Sequence, residues 1–256
     1  MLAIERRACI RETIQEQKSV AVSDLARRFD VTEETIRRDL KVLESQGVLT
    51  RTYGGAFIQG GAINEVDVTL RETSYVDAKR QIAAQCLQLI RNGDSIFLDS
   101  STTALEIARA IRDMRLTVLT NSLLIADVLS HSESIRLQGI GGVLQPQSMS
   151  FLGEAALAAL APYYVDSAFV SCRSVSLDRG ITDSNEQSAA FRSDAIRRAG
   201  RVYLVADHTK FGQTSFVQIC GFDALAGIVT DQPLSAPWHW MAQERKLLLL
   251  ENAPEA

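Results

Sequence analysis

The sequence predicts an α/β protein in two parts: a small helical domain with a two-stranded wing, and a larger domain with a mostly parallel sheet. Two observations support this prediction. Apolar residues recur at helical spacing through residues 1–58, which end in a glycine-containing hairpin pattern. From residue 76 onward, short apolar runs alternate with amphipathic helical segments. We therefore place the domains at residues 1–58 and 76–256, joined by a polar, glycine-containing linker at residues 59–75.

The composition is that of an ordinary globular protein. The chain has 256 residues, is 46% hydrophobic and carries a net charge of −4, which argues against non-specific coating of nucleic acid but allows a local DNA-reading face. Four widely spaced cysteines and three isolated histidines predict no disulfide framework, metal site or cofactor. The N-terminus lacks a signal-peptide pattern and no apolar run approaches a membrane span, so we expect a cytoplasmic protein.

The first two predicted helices lead into a third. Residues 3–17 place Ile10 and Ile14 on one side of a helix. A short second helix is predicted at residues 20–29, with Ser23 as its expected cap. A tight turn then precedes the third helix.

The third predicted helix, at residues 31–47, has the clearest local signals. Thr32 is a good N-cap, and Gly47 is a suitable stop. Its apolar stripe consists of Ile36, Leu40 and Leu43.

Three polar residues near the start of this helix lie off the stripe, namely Thr35, Arg37 and Arg38. In a helix-turn-helix, these are the positions that reach base edges and phosphates. Arginine can bond guanine bidentately or hold a phosphate. Taken alone, the segment also fits an ordinary amphipathic surface helix with a solvated arginine pair.

The segment after the third helix predicts the wing. Residues 48–57 read as two short strands, and the pair Gly54 and Gly55 permits a tight backbone between them. Arg51 and Tyr53 are placed to lie along a phosphate strand. Three helices and a wing in under 60 residues are typical of a winged helix-turn-helix.

The run ETIRRDLKVLESQGVLTRTYGGA resembles the DNA-binding signature of the DeoR family of bacterial transcriptional regulators, and DLARRFDVTEETIRRDL matches the form of that family's second and third helices. The family often has His where this chain has Tyr53, and a tyrosine can still bond a phosphate. The resemblance implies contacts with operator DNA, and the residues that we assign to this surface are Thr32, Glu34, Thr35, Arg37, Arg38, Arg51, Tyr53 and Gly54.

The second domain is predicted to alternate helices and strands. The predicted helices are at residues 78–91, 102–112, 122–129 and 187–199. The predicted strands are at residues 95–98, 116–119, 135–140, 167–170, 202–205 and 227–229, with a closing strand at 247–250. This alternation favours a parallel sheet covered on both faces.

Four polar or glycine-containing loops follow these strands, at the edge where open α/β sheets bind ligands. Residues 99–103 offer four hydroxyls and a helix start, which suit a phosphate, although simple N-capping is the alternative. Residues 120–122 are also polar. Residues 139–142 fall short of a GxGxxG fingerprint, because Leu144 occupies the last glycine position.

The fourth loop, residues 207–212, contains two charges of opposite sign. Lys210 is suited to pair with a phosphate, and Asp207 with a sugar hydroxyl. An ordinary surface ion pair is the alternative reading of these two residues.

The motifs LDSSTTALEIA, VLTNS, GIGG, FLGEAA, DSAFVSCRSVSLDRGIT and ADHTKFG resemble, in this order, the sensor domain of the DeoR family, so the resemblance runs from about residue 5 to about residue 231. It implies a fold related to ribose-5-phosphate isomerase and a site for a phosphorylated sugar. The implied site residues are Asp99, Ser100, Ser101, Thr102, Thr103, Asn121, Gly141, Asp207 and Lys210.

Two departures from the family pattern fall at this site. Ser101 stands where many members have glycine, and residues 172–174 stand where many have a glycine. Arg173, within the second departure, is predicted as an additional anion contact that favours a different sugar phosphate.

We therefore predict a sequence-specific repressor of a carbohydrate-catabolism operon, released from operator DNA by a phosphorylated sugar. Activation rather than repression stays open, because the sign depends on operator position. Half-site spacing implies a homo-oligomer, a dimer or a tetramer. The alternative is a sugar-phosphate isomerase with an accessory DNA-binding domain, using Asp166, Asp207 and Lys210 as acid and base. No histidine or carboxylate pair in the sequence has a spacing that requires catalysis, so we expect that the protein is not an enzyme.

Overall fold

The computed structural model describes residues 1–17, 19–51, 54–58 and 68–252. The chain divides into two compact units, Met1–Val76 and Asp77–Ala256. Residues 59–67 of the predicted linker lie outside the described residues, and residues 68–72 of that linker form a short helix in the first unit.

The first unit contains helices and short strands in the order expected of a winged helix-turn-helix. Its elements are α1 (Ala3–Gln17), β1 (Ser19–Ala21), α2 (Val22–Phe29), α3 (Glu33–Ser45), β2 (Thr50–Arg51), β3 (Gly55–Phe57) and α4 (Val68–Glu72). The strands form an antiparallel sheet in the order β1-β3-β2. Side chains from the three long helices share one core, which includes Ile10, Ile14, Leu25, Ile36, Leu40 and Leu43. The winged helix-turn-helix prediction is confirmed.

Two local predictions in this unit are wrong. Val20 does not belong to the second helix. It lies in β1, where it pairs with Ala56 of β3. Ser23 lies inside α2, whose N-cap is Ala21, and no side chain caps that helix start. The cause is the pairing of β1 with β3, which joins segments more than 30 residues apart and leaves no local pattern.

The second unit is built around a seven-stranded sheet in which every pairing is parallel, in the order β15-β14-β12-β9-β4-β5-β6. Its helices are α5 (Val76–Cys86), α6 (Thr102–Ala110), α7 (Leu123–Ser130), α8 (Glu154–Leu160), α9 (Glu186–Arg197) and α10 (Ala236–Glu244). Its strands are β4 (Ser95–Leu98), β5 (Leu116–Thr120), β6 (Ile135–Gly139), β7 (Val143–Gln145), β8 (Ser150–Leu152), β9 (Val165–Val170), β10 (Ser174–Ser176), β11 (Gly180–Asp183), β12 (Ala199–Val205), β13 (Val217–Cys220), β14 (Gly227–Val229) and β15 (Leu248–Leu250).

Both faces of this sheet are covered by apolar side chains. Phe97 of β4 packs in one core with Phe191 of α9, whereas its neighbours Ile96 and Leu98 belong to a second core with Ile107 of α6. Successive strand residues point to opposite faces, so the two cores lie on the two sides of the sheet. The predicted α/β architecture with a mostly parallel sheet is therefore confirmed.

Several smaller elements were not predicted. They are the hairpin of β7 and β8, helix α8, and the three-stranded antiparallel sheet of β10, β11 and β13. The helix predicted at residues 78–91 ends at Cys86, and a 3-10 turn at Leu87–Leu89 follows it.

The strand order contains one change of direction. From β4 the chain builds β5 and β6 on one side, and then returns to place β9 on the other side of β4. The carboxyl ends of β4 and β9 therefore flank a topological switch point, which is where open α/β sheets bind ligands.

Candidate DNA-binding surface and anion site

Helix α3 of the first unit has the local geometry that its sequence predicts. The Oγ1 of Thr32 accepts a hydrogen bond from the backbone N–H of Thr35 at 3.3 Å, which caps the helix. Gly47 has a φ of +70° just after the helix, a conformation that favours glycine. Ile36, Leu40 and Leu43 are buried. The opposite side of α3 is left for other contacts.

The arginines on the outer side of α3 are paired with glutamates of the same helix. Arg37 Nη2 donates to Glu33 Oε2 at 2.7 Å. Arg38 Nε lies 3.6 Å from Glu34 Oε1, and 80% of the Arg38 side chain is exposed. Such surface pairs contribute only about 0–1 kcal/mol. The exposed pair of Arg38 with Glu34 is therefore weak, and it leaves the Arg38 guanidinium accessible to other acceptors.

The wing is tied to the end of α3 by Glu44, which the sequence reasoning did not single out. Glu44 Oε2 accepts from Arg51 Nε at 2.7 Å, and its Oε1 accepts from the Arg51 backbone N–H at 2.9 Å. Arg51 thus joins β2 to α3. Tyr53 lies outside the described residues.

The two wing glycines differ in what they make possible. A Cβ on Gly55 would lie 2.1 Å from the backbone oxygen of Val20, so β3 can approach β1 only with glycine there. Gly54 is exposed, and a Cβ there would meet nothing within 4 Å. Its carbonyl accepts from the Val22 N–H at 2.8 Å. Gly55 is therefore the sterically required residue.

In the second unit, the loop after β4 leads directly into α6. Ser101 caps this helix, because its Oγ accepts from the Ala104 N–H at 3.0 Å. The N-capping alternative to phosphate binding thus describes Ser101 itself. The N–H groups of Thr102 and Thr103 are in the first turn, where no intrahelical acceptor is available to them. Together with the helix dipole they can hold an anion.

Asp99, which precedes this turn, is engaged by the protein itself. Its Oδ2 accepts from the Ser171 N–H and Oγ, each at 2.8 Å, and from Arg192 Nε at 2.7 Å. Its Oδ1 accepts from the Ser101 N–H at 3.0 Å. Burial raises the pKa of Asp99, but Arg192 and the hydrogen bonds from Ser101 and Ser171 outweigh burial and lower that pKa. Asp99 organises the loop, and its contact with an effector stays a prediction.

Arg192 and Asp183 were not predicted. Arg192 Nη1 donates to Asp183 Oδ2, and Asp183 Oδ1 accepts from the Ser184 and Asn185 N–H groups at 2.7 and 3.2 Å. The signal that could have found Arg192 is its spacing. It lies three residues after Ala189 and four before Ile196, on the buried stripe of α9, where a charge needs a partner.

The loop after β9 supplies Arg173, the predicted second anion contact. Arg173 is partly buried, and this burial lowers the pKa of its guanidinium even though Asp183 opposes the shift. Its backbone N–H donates to Thr182 O at 3.0 Å. The preceding residue, Cys172, is buried, and burial raises the pKa of its thiol. That thiol is a poor nucleophile.

The loop after β12 brings Asp207 and Lys210 together. Lys210 Nζ lies 3.9 Å from Asp207 Oδ2, and Asp207 Oδ1 accepts from the Thr209 N–H at 3.0 Å. Burial raises the pKa of Asp207, but Lys210 and Thr209 outweigh burial and lower it. The next residue, His208, bonds through Nδ1 to Asp231 Oδ2 at 2.7 Å, a pairing that was not predicted.

Asn121 follows β5 and contributes an acceptor. Its Nδ2 donates to Phe151 O at 3.0 Å. Its Oδ1 is buried and has no hydrogen-bond partner among the described residues. An orphaned buried acceptor is costly, so this atom is ready for a donor from a ligand.

Gly141 is the predicted site residue with the least structural support. It is exposed, and a Cβ there would meet nothing within 4 Å. Gly142 is the constrained glycine of this loop, because its Cβ would lie 2.7 Å from Leu152 O.

Three of the predicted residues, Asp99, Asp207 and Lys210, lie near the loop after β9 at the switch point. The charges of Lys210, Asp183, Arg192 and Asp207 all act on the Cys172 thiol, so the loops after β9, β11 and β12 lie close together. Asp99 joins the loop after β4 to this group through Ser171 and Arg192.

Asp166, named for the isomerase alternative, lies elsewhere. It is the second residue of β9, at the amino end of the strand, and its Oδ2 accepts from the Ser95 N–H and Oγ at 2.7 and 2.6 Å. These hydrogen bonds lower its pKa. Asp207 and Lys210 lie at the opposite, carboxyl edge of the sheet. The three groups therefore do not form one catalytic site.

Within the described residues, no group of three or more His, Cys, Asp or Glu side chains is placed to hold a metal ion. The described helices include none that has the length and apolar character needed to span a membrane.

Known protein families match both units. A model described as "DeoR-like helix-turn-helix domain" matches residues 6–59, and one described as "DeoR C terminal sensor domain" matches residues 74–232. The chain is 38% identical to the uncharacterized HTH-type transcriptional regulator YulB of Bacillus subtilis, over 91% of each chain. It is 34% identical to a putative aga operon transcriptional repressor of Escherichia coli O157:H7, over 91% of this chain and 87% of that one.

Among solved structures, ribose 5-phosphate isomerase A from Methanocaldococcus jannaschii is similar over 54% of this chain and 55% of its own, with 17% identity and a TM-score of 0.41.

Proposed function

The chain belongs to the DeoR family of transcriptional regulators, and we propose that it represses a carbohydrate-catabolism operon until a phosphorylated sugar binds its second unit. Its relatives are named as transcriptional regulators or repressors, so it is a regulator rather than an enzyme. One relative is named as a putative repressor of the aga operon, which supports repression of a carbohydrate operon here. We place this activity in the cytoplasm, where operator DNA is found.

The effector half of the proposal rests on the start of α6 at the switch point. The first-turn N–H groups of Thr102 and Thr103 suit a phosphate. The carboxylates of Asp99 and Asp207 already accept hydrogen bonds from the protein, so they repel the phosphate less than free carboxylates would. Asn121 Oδ1 lacks a donor, and a sugar hydroxyl would supply one. A ligand with a phosphate and a hydroxyl fits this set best.

The DNA half rests on the outer side of α3. Arg38 is exposed and its pair with Glu34 is weak, and Arg37 is partly exposed on the same side of the helix. Residues at the start of this helix contact bases and phosphates, with the wing beside them. In the proposal, Thr32, Glu34 and Thr35 lie on the same surface.

Repression and release are linked by differential binding. An effector shifts an equilibrium only if it binds the two states of the protein unequally. We expect a homodimer or tetramer, because two α3 helices must match half-sites one or more DNA turns apart. The phosphorylated sugar then favours the state in which this match is lost.

The proposal is tested by measuring the affinity of the full chain for DNA fragments from its own promoter region. A phosphorylated sugar from a panel of aldose and ketose phosphates should weaken operator binding, and the same sugar without phosphate should not. Lys210→Met should bind the operator normally and respond less to the sugar phosphate. Absence of any specific DNA site, or a release that ignores the phosphate, would refute the proposal.

A further inference from the structure

A buried charge cluster lies beside the anion site, with the Arg192 guanidinium between the carboxylates of Asp99 and Asp183. The side chains of Arg192 and Asp99 are 10% and 1% exposed. Asp183 is also buried. Withdrawing three charges from water is costly, and a well-packed apolar replacement is often as stable. Fold stability alone therefore does not account for the cluster.

The three residues come from three separate parts of the fold. Asp99 follows β4, Asp183 ends β11, and Arg192 lies in α9. Asp99 extends the connection to the loop after β9, because it also accepts from the Ser171 N–H and Oγ. The cluster thus fixes the two loops that flank the switch point.

Asp99 also controls how α6 begins. Its Oδ1 accepts from the Ser101 N–H at 3.0 Å, and Ser101 in turn caps α6 through the Ala104 N–H. The direction of the first-turn N–H groups therefore depends on Asp99, and through Asp99 on Arg192.

We infer that Arg192 is a positioning residue of the effector site: it holds Asp99 and Asp183 so that the first turn of α6 faces the phosphate. The inference rests on the proposed function, because it requires a phosphate at that turn. Two carboxylates surround the single charge of Arg192, so the cluster offers an incoming anion no net attraction. Arg192 acts through Asp99 and does not carry the phosphate charge.

The sign of one substitution separates this role from two others. A direct phosphate ligand would gain from Asp183→Asn, because the guanidinium would lose a competing carboxylate and the anion a repelling one. A purely stabilising cluster would lose thermal stability in Asp183→Asn and keep its phosphate affinity. A positioning role requires weaker phosphate binding, although a negative charge has been removed.

The test titrates inorganic phosphate into the full chain by calorimetry. We expect Arg192→Lys and Asp183→Asn each to weaken phosphate binding at least tenfold. The double variant should bind no worse than the weaker single variant, since both changes break the same connection. The matched controls are Arg197→Lys, on the exposed side of α9, and Asp178→Asn, in the exposed turn between β10 and β11. Both should stay within twofold of the wild type.

The fluorescence of Trp238 and Trp240, which both lie in the second unit, shows whether that unit is folded in each variant. Operator binding without phosphate should match the wild type. Unchanged or tighter phosphate binding by Asp183→Asn would overturn the inference while leaving the proposed function standing. If the wild type binds neither phosphate nor any sugar phosphate, the proposed effector site fails and the inference fails with it.

Discussion

The two units use arginine and carboxylate side chains in opposite ways. In the first unit, Arg38 lies 3.6 Å from Glu34 with 80% of its side chain exposed. In the second, Arg192 bonds Asp99 at 2.7 Å with 10% of its side chain exposed. An exposed pair contributes little and re-forms easily, whereas a buried pair cannot lose one member without a large cost. Exposed arginines are therefore available to new partners, and the buried arginine maintains shape.

The same contrast exists within α3 itself. Asp39, next to Arg38 in sequence, points inward and accepts from Arg6 Nε of α1 at 2.6 Å in a buried pair. That pair joins α1 to α3, while Arg38 faces outward. Burial, rather than residue type, decides whether a charge supports the fold or is available for recognition.

The largest expected effect comes from removing the buried charge. Arg192→Met leaves Asp99 and Asp183 uncompensated, so we expect the second unit to lose about 3–5 kcal/mol of unfolding free energy. Both tryptophans, Trp238 and Trp240, lie in this unit, so their fluorescence during urea unfolding reports on it. Arg197→Met, on the exposed side of the same helix, should change stability by under about 0.5 kcal/mol. Equal losses of unfolding free energy in Arg192→Met and Arg197→Met would contradict the difference between buried and exposed arginines.

The wing adds a third case to the comparison of exposed and buried charges, because the pairing of β1 with β3 depends on close packing rather than on charge. Gly55→Ala places a Cβ 2.1 Å from Val20 O, so we expect the first unit to lose about 1–3 kcal/mol as β1 and β3 separate. Gly54→Ala is the matched control, with open space around its Cβ. Hydrogen exchange of the β1 and β3 amides measures this difference. Equal exchange in the two variants would contradict the packing argument.

On the exposed side, Arg38→Ala should act on DNA binding and not on the fold. If Arg38 contacts a base, we expect the binding free energy for the operator to fall by about 1–3 kcal/mol. If it contacts a phosphate, we expect the affinity to fall equally for operator and non-operator DNA. The melting temperature should stay at the wild-type value, since the pair with Glu34 is exposed. Fluorescence anisotropy at several salt concentrations distinguishes the two kinds of contact. A stability loss like that of Arg192→Met would show that exposure does not matter.

The smallest expected effect concerns pH. The pKa of Asp207 in the folded chain lies below its ordinary value of 3.8. Its contribution to stability is therefore complete above that value and is lost as the pH falls through the lower, folded pKa. Urea unfolding at acid pH should become less pH-dependent in Asp207→Asn than in the wild type. Asp178→Asn, in an exposed turn, is the matched control for the loss of one carboxylate.

What could be predicted from sequence follows from where each signal lies. Helix α3 was predictable because its cap, apolar stripe and glycine stop all fall within one short segment. Strand β1 was not, because it exists only through pairing with β3. The hairpin of β7 and β8 was missed for a different reason, because strands of three residues are too short to show a recognisable alternation.

The site divides in the same way. The loops around Asp99, Asn121 and Asp207 were predictable, because each directly follows an apolar strand of a predicted parallel sheet. Arg192 and Asp183 were not predicted, because an arginine in a helix usually faces solvent and its burial depends on packing against distant strands. The sequence also could not show that the Asp99 carboxylate accepts a hydrogen bond from Arg192.

The central claim is that DNA binding by the first unit and phosphate binding by the second are linked. The most direct test measures this linkage from both sides on the full chain, with one operator fragment and one sugar phosphate. Linkage requires the sugar phosphate to weaken operator binding by the same factor by which the operator weakens sugar phosphate binding. We expect equal factors above about fivefold. A sugar phosphate that binds tightly and leaves operator affinity unchanged would contradict the account.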